Sequence, residues 1–151
     1  MKNSLADISD RISPVVSSYI FGKRIIKLTF VQKTVMHFYH IYTKGLEDRL
    51  IFRSVEDFIA GMNYVAVAHF KANVRLLAFV LMSNHFHFVV LGTEEDAKKF
   101  INIYKRLISV YIRNKYNDTA FLRRMITSCD DVSVKDDGLK RLIAYVLDNP
   151  V

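Results

Sequence analysis

The feature that most narrows the fold is the stretch "VRLLAFVLMSNHFHFVVLG" at 74–92. Two apolar runs of strand length stand there, separated only by the turn formers Ser83 and Asn84. Such runs predict the two arms of an antiparallel hairpin, 74–82 and 85–92. In an alternating strand, residues i and i+2 share a face. His85 and His87 therefore point one way, and Phe86 and Phe88 the other. Two imidazoles in so apolar a strand are either buried and satisfied by hydrogen bonds, or hold something between them.

The flanks extend the pattern. "MHFYHIYT" at 36–43 reads as an aromatic-rich strand, followed by a turn around Gly45. Ser54 and Asp57 have the spacing of a capping box, and Phe58, Met62, Val65, Ala66 and His69 follow at helical intervals. A helix over about 55–70 results. Thr93 caps a second helix, with Glu94, Glu95 and Asp96 in its first turn favourable to the helix dipole. Ala97, Phe100, Tyr104, Leu107, Ile108 and Tyr111 make its apolar stripe, and it runs to about 115. Lysines and arginines decorate its other faces. A strand is expected near 123–129, then a short helix capped by Asp136 or Asp137 and stopped by Pro150. Residues 1–35 read as an arm with partly helical character, and 36–151 as the domain. Strand, helix, strand, strand, helix, strand, helix is the order of an α+β, ferredoxin-like split βαβ fold. It has an antiparallel sheet, helices on one face and a further C-terminal helix.

Charge and cysteine content bound the function. The 151 residues carry a formal net charge of +7, which suits a polyanion such as nucleic acid, or an anionic membrane surface. Cys129 is the single cysteine, so an intrachain disulfide and a thiolate zinc site are both excluded. The opening "MKNSLADISD" is unlike a signal peptide, and no apolar run approaches the ~20 residues of a membrane helix. A cytoplasmic protein is the expectation.

The last helix bears on the histidines. At about 100° per residue from Leu139, the side chains of Leu142, Ile143 and Val146 fall within roughly 60° of it and form a core stripe. Tyr145 falls near ~240° and Asn149 near ~280°, one turn apart on one flank of that stripe. If this helix covers the histidine strand, a hydroxyl, an amide oxygen and two imidazoles converge. Two imidazoles and an amide oxygen are neutral ligands for a divalent cation. Their neutrality leaves the cation's charge to act on an anionic phosphate. A tyrosine hydroxyl can then attack phosphorus and form a covalent intermediate.

"MSNHFH" resembles the metal-binding motif of the HUH single-tyrosine transposases, and "YVLDNPV" the tyrosine motif of one branch, the transposases associated with repetitive extragenic palindromes. "FYHIYTKG", "IFRSVEDF" and "LLAFVLMSNHFH" look like that branch's first strand, first helix start and hairpin. The resemblance covers roughly 36–151. It implies that His85 and His87 bind Mg²⁺ or Mn²⁺, that Asn149 is the third ligand, and that Tyr145 is the nucleophile. The reaction implied is cleavage and rejoining of single-stranded DNA near an imperfect hairpin, through a 5′-phosphotyrosine. Relatives act as monomers or as homodimers that exchange tyrosine helices. This sequence departs from the pattern in three ways. Ser83 stands where proline is usual, the 117–138 connection lacks the aromatic and basic motif that bears on target choice, and the chain ends at Val151 where relatives commonly run on.

Other readings compete. Zinc fits two histidines at least as well on ligand chemistry alone. A non-catalytic nucleic-acid-binding module derived from such a transposase suits the missing connection motif. A histidine-metal hydrolase would need an activated water, and no convincing carboxylate base stands beside the motif. His37, His40 and His69 read as structural, as do Tyr104 and Tyr111. Tyr116 is a rival nucleophile, and Cys129 reads as inert.

Overall fold

The computed structural model describes residues 11–21, 24–44, 49–119, 125–132 and 137–149. The chain divides into two compact units, Met1–Met36 and His37–Val151. In the first, β1 (Arg11–Phe21) and β2 (Arg24–Thr34) pair antiparallel, from Arg11 opposite Thr34 to Phe21 opposite Arg24. Strand, not the expected partial helix, is the outcome. Both segments are rich in β-branched residues, among them Val15, Val16, Ile20, Ile25, Ile26, Thr29 and Val31. Such side chains lose rotamer freedom in a helix and suit a pleated surface.

The second unit contains β3 (His37–Lys44), α1 (Val55–Lys71), β4 (Arg75–Leu81), β5 (Phe86–Gly92), α2 (Glu94–Tyr116), β6 (Ile126–Val132) and α3 (Gly138–Leu147). Its sheet has the order β4-β5-β3-β6. Every neighbouring pair is antiparallel. β3 and β4 are therefore parallel to each other on either side of β5, and α1 crosses between them. By the same logic β5 and β6 flank β3, and α2 makes the second crossover. This is the ferredoxin-like split βαβ arrangement. The hairpin closes through Met82 N–H donating to His85 O at 2.8 Å. The Ser83 carbonyl accepts Ile51 N–H at 2.6 Å and Phe52 N–H at 3.0 Å. Proline would keep that carbonyl, so serine at this position costs the turn no bond there.

Alternation along β5 sorts the two sides of the sheet. Phe86, Phe88 and Val90 are fully buried in the main core, with Phe100, Tyr104, Ile108 and Ile112 from α2. The Phe88 ring meets Phe100 and Tyr104 edge-on, at centroid distances of 5.2 and 5.0 Å. Burying each such ring is worth about 1.5–3 kcal/mol. In α2, Ala97, Phe100, Tyr104 and Ile108 are buried as the sequence spacing indicates, but Ile101 and Ile112 join them and Leu107 and Tyr111 are only half-buried. The α1 face departs from its spacing. Asp57, Gly61, Val65 and Ala68 are buried, whereas Met62, Ala66 and His69 are exposed. The helix is rotated because Gly61 lets the core approach its backbone. A Cβ there would lie 2.6 Å from Phe52 Cε1 and 3.0 Å from Leu81 Cδ1. Glycine and aspartate carry no weight in a hydrophobic count, so the buried face lies about one residue from the one the count indicates.

Asp57 joins α1 to the end of α2. Its carboxylate is wholly buried and accepts from Arg53 N (2.7 Å), Ser54 N (3.1 Å), Tyr111 OH (2.8 Å), Tyr116 OH (2.6 Å) and Lys115 Nζ (2.6 Å). On the opposite side of the sheet, α3 packs through Val146 against Ala78 of β4 and Val89 of β5, with Leu139, Leu142 and Ile143 around them. That is the stripe read from the sequence. Asp137 occupies the N-cap position, but it is left-handed (φ 57°) and its side chain caps no N–H; it pairs with Lys140 at 2.9 Å instead. The turn at Gly45, the strand start at 123–124, Asp136 and Pro150 lie outside the described residues.

Candidate functional site

The site is assembled by register. Antiparallel partners share a face, so the face that carries α3 also carries His87 and Val89 of β5. It carries Tyr42 and His40 of β3, paired with them, and Asp130 of β6, paired with His40. β5 is held to β3 at this point by Phe86 N donating to Thr43 Oγ1 at 3.2 Å. α3 lays Tyr145 over the same face by burying the adjacent Val146.

The His85 and His87 rings lie edge to face, with centroids 5.3 Å apart and planes at 83°. Each is anchored through Nδ1. His85 Nδ1 is 2.6 Å from Asn84 Oδ1, an atom that only accepts, so Nδ1 carries the proton and Nε2 keeps a lone pair. His87 Nδ1 is 2.9 Å from His40 Nε2, and the two rings stack at 5.1 Å. Tyr42 stacks on His40 at 4.7 Å and on His87 at 5.8 Å, and its hydroxyl donates to Asp130 Oδ2 at 3.0 Å.

The Tyr145 ring meets His87 edge-on at 5.6 Å within the same chain, and half of the residue (53%) is exposed. Asn149 sits one turn further on. Its Nδ2 donates to Tyr145 O at 2.8 Å, which caps the end of α3 and leaves Oδ1 as the atom suited to a cation. Its described contact is with its own helix, not with the imidazoles.

Burial sets the charge of the cluster. It pushes His87 down to about 4, helped by His40 and His85. It lowers His85 as well, and His40, where the Asp130 charge opposes it. All three rings are thus neutral at neutral pH, the form in which imidazole ligates a metal. Among the described residues no group of three or more His, Cys, Asp or Glu side chains is placed to hold a metal ion. His85 and His87 fit as two ligands, and further ligands would come from an amide, a hydroxyl or water.

The structure places the remaining residues singled out by the sequence. His40, read as structural, is hydrogen-bonded to His87. β6 brings a carboxylate, Asp130, beside His40, one strand away from the motif. Tyr116 is bound to Asp57 on the other side of the sheet, and Tyr104 is buried there, its hydroxyl raised by burial. Tyr42 is the other tyrosine of the site. Cys129 packs against the core, with its thiol pushed up by burial. Lys98 and Lys115 are engaged by Glu94 and Asp57 and are not free cations. Among the described residues, no helix is long and apolar enough to cross a membrane.

No family model matches the chain, and no curated protein does. Among solved structures, one described as a "putative transposase" from Deinococcus radiodurans R1 is similar, with a TM-score of 0.48 and 11% identity over 75% of this chain and 90% of that one. A likeness at that level adds nothing to the reading of the site.

Proposed function

We propose that this chain is a metal-dependent single-stranded DNA transesterase. It would resemble the HUH single-tyrosine transposases, in the branch associated with repetitive extragenic palindromes. The observation that carries the reading is the contact of Tyr145 with His87, made within one chain by a helix whose packing leaves that tyrosine half in solvent. His85 and His87 would hold Mg²⁺ or Mn²⁺ through Nε2, with Asn149 Oδ1 as third ligand. When bound, the cation supplies Lewis-acid charge at a phosphodiester.

The chain's own groups do the rest. Tyr145 Oη attacks phosphorus, and an O–P bond forms as the P–O3′ bond breaks. The tyrosyl proton passes to solvent, and the departing 3′ oxygen takes a proton from water. The 5′ phosphate remains on Tyr145, so bond energy is kept and reversal rejoins a strand. The net charge of +7 draws the polyanion to the protein.

Asp130, beside His40 on the same face, favours a second reading, a hydrolase in which it activates water. Incubation with single-stranded hairpin DNA and Mn²⁺, followed by denaturing electrophoresis, separates them. A denaturation-resistant adduct, absent in Tyr145→Phe, supports the transesterase. Cleavage without adduct supports the hydrolase, and retarded DNA with neither supports a binding module.

A further inference from the structure

We propose that His40 is a positioning residue: it decides which ring nitrogen of His87 carries the proton, and so presents His87 Nε2 as a lone pair. This rests on the reading of His85 and His87 as a cation site. The geometry leaves two arrangements. His40 Nε2 and His87 Nδ1 are 2.9 Å apart, and one of them must carry the hydrogen. If His40 donates, a neutral His87 has its proton on Nε2 and cannot ligate there. If His87 donates from Nδ1, its Nε2 is free, and His40 keeps its own proton on Nδ1.

The placement of His40 favours the second arrangement. His40 stands on β3, between β5 and β6. The side of its ring turned from His87 therefore faces the strand that carries Asp130, its register partner. A carboxylate on that side suits an N–H rather than a lone pair there. With Nε2 turned to His87, that proton belongs on Nδ1, which makes Nε2 an acceptor. Asn84 does the equivalent for His85, where an amide oxygen fixes the proton on Nδ1. Both rings then present Nε2. The stacking of Tyr42 on His40 and His87 holds the planes in place. A metal-bound histidine commonly has its second nitrogen held in this way, and losing that partner lowers affinity about 10–100-fold.

The test reads the tautomer without any metal. Long-range ¹H–¹⁵N spectra of the metal-free chain at pH 7.5 should show His87 protonated on Nδ1 and bare on Nε2. His40→Phe keeps a ring for the stack but offers no acceptor, so His87 should revert to a proton on Nε2. Its Mn²⁺ affinity, from the broadening of the histidine signals, should fall about 10–100-fold. His40→Gln restores an acceptor oxygen and should recover the Nδ1–H form. Circular dichroism checks that each variant folds. A proton on His87 Nε2 in the wild type would overturn the proposal, as would an unchanged His87 tautomer in His40→Phe. Absence of Mn²⁺ broadening in a wild type that shows the Nδ1–H form would instead overturn the reading of a cation site, and leave the role of His40 standing.

Discussion

Asp57→Asn tests what holds α1 to α2. The two carboxylate oxygens are used differently. Oδ2 accepts Arg53 N, Ser54 N and Tyr116 OH, while Oδ1 accepts Tyr111 OH and Lys115 Nζ. Asparagine can keep its oxygen at the first position and hold three donors there. Its NH₂ then faces Tyr111 and the Lys115 ammonium, where a donor meets donors. The tyrosine hydroxyl can turn to accept, and the lysine can swing into water. Hydrogen bonds to a charged group contribute about 1.5–3 kcal/mol each, and stranding partners of a buried charge adds to the loss. The expected destabilisation is about 2–4 kcal/mol, or roughly 6–15 °C in Tm for a unit of this size.

Its pH dependence has a definite sign. Burial raises the Asp57 carboxyl, but hydrogen bonds from Lys115, Tyr116, Arg53 N and Tyr111 outweigh it and hold it far below the usual carboxylate range. A depressed folded-state value stabilises the fold above the unfolded value of about 3.9, and that stabilisation is lost as pH falls below it. The gap in Tm between wild type and Asp57→Asn should be full at pH 7 and smaller at pH 3, measured by thermal circular dichroism. A variant within about 2 °C of wild type at pH 7, or a gap that widens in acid, would refute the reasoning.

Other consequences follow from the site. Replacing His85 or His87 with Ala should abolish Mn²⁺-dependent cleavage of hairpin DNA while the far-ultraviolet spectrum is kept, and full activity in the double variant would rule out the assignment. Asn149→Ala should weaken metal dependence less than either histidine change, because water can replace one amide oxygen; a metal titration of cleavage measures this. Affinity for single-stranded DNA should fall steeply between low and high salt, as counterions released by phosphate contacts are restored. A flat salt series in fluorescence anisotropy would contradict an electrostatic interface.

The sequence disclosed what local periodicity encodes. Most of the α2 stripe, the α3 stripe and the hairpin around Ser83 and Asn84 are written in runs of neighbouring residues, and they stand where the spacing puts them; Leu107 and Tyr111 of α2 do not. α1 was located, but its face was misjudged, because Gly61 and Asp57 are buried for close approach and for hydrogen bonding rather than for hydrophobicity. β1 and β2 escaped notice because their alternation is imperfect. His40 and Asp130 were out of reach for a different reason. The place of His40 near His87, and of Asp130 beside His40, depends on which strands pair and in what register, and no local pattern states that β6 aligns Asp130 with His40. Tyr145 was accessible because its flank position follows from the buried stripe of its own helix. Once the order β4-β5-β3-β6 is known, a search of residues paired with His87 and its neighbours along β3 and β6 finds the rest.

The central claim is that Tyr145 attacks DNA. Peptide mapping of the adduct formed with hairpin DNA and Mn²⁺, after nuclease trimming, tests it most directly. The account predicts a nucleotide remnant joined through its 5′ phosphate to the Tyr145 hydroxyl. A remnant on Tyr42, which shares the site and is bonded to Asp130, or on any other residue, would contradict it.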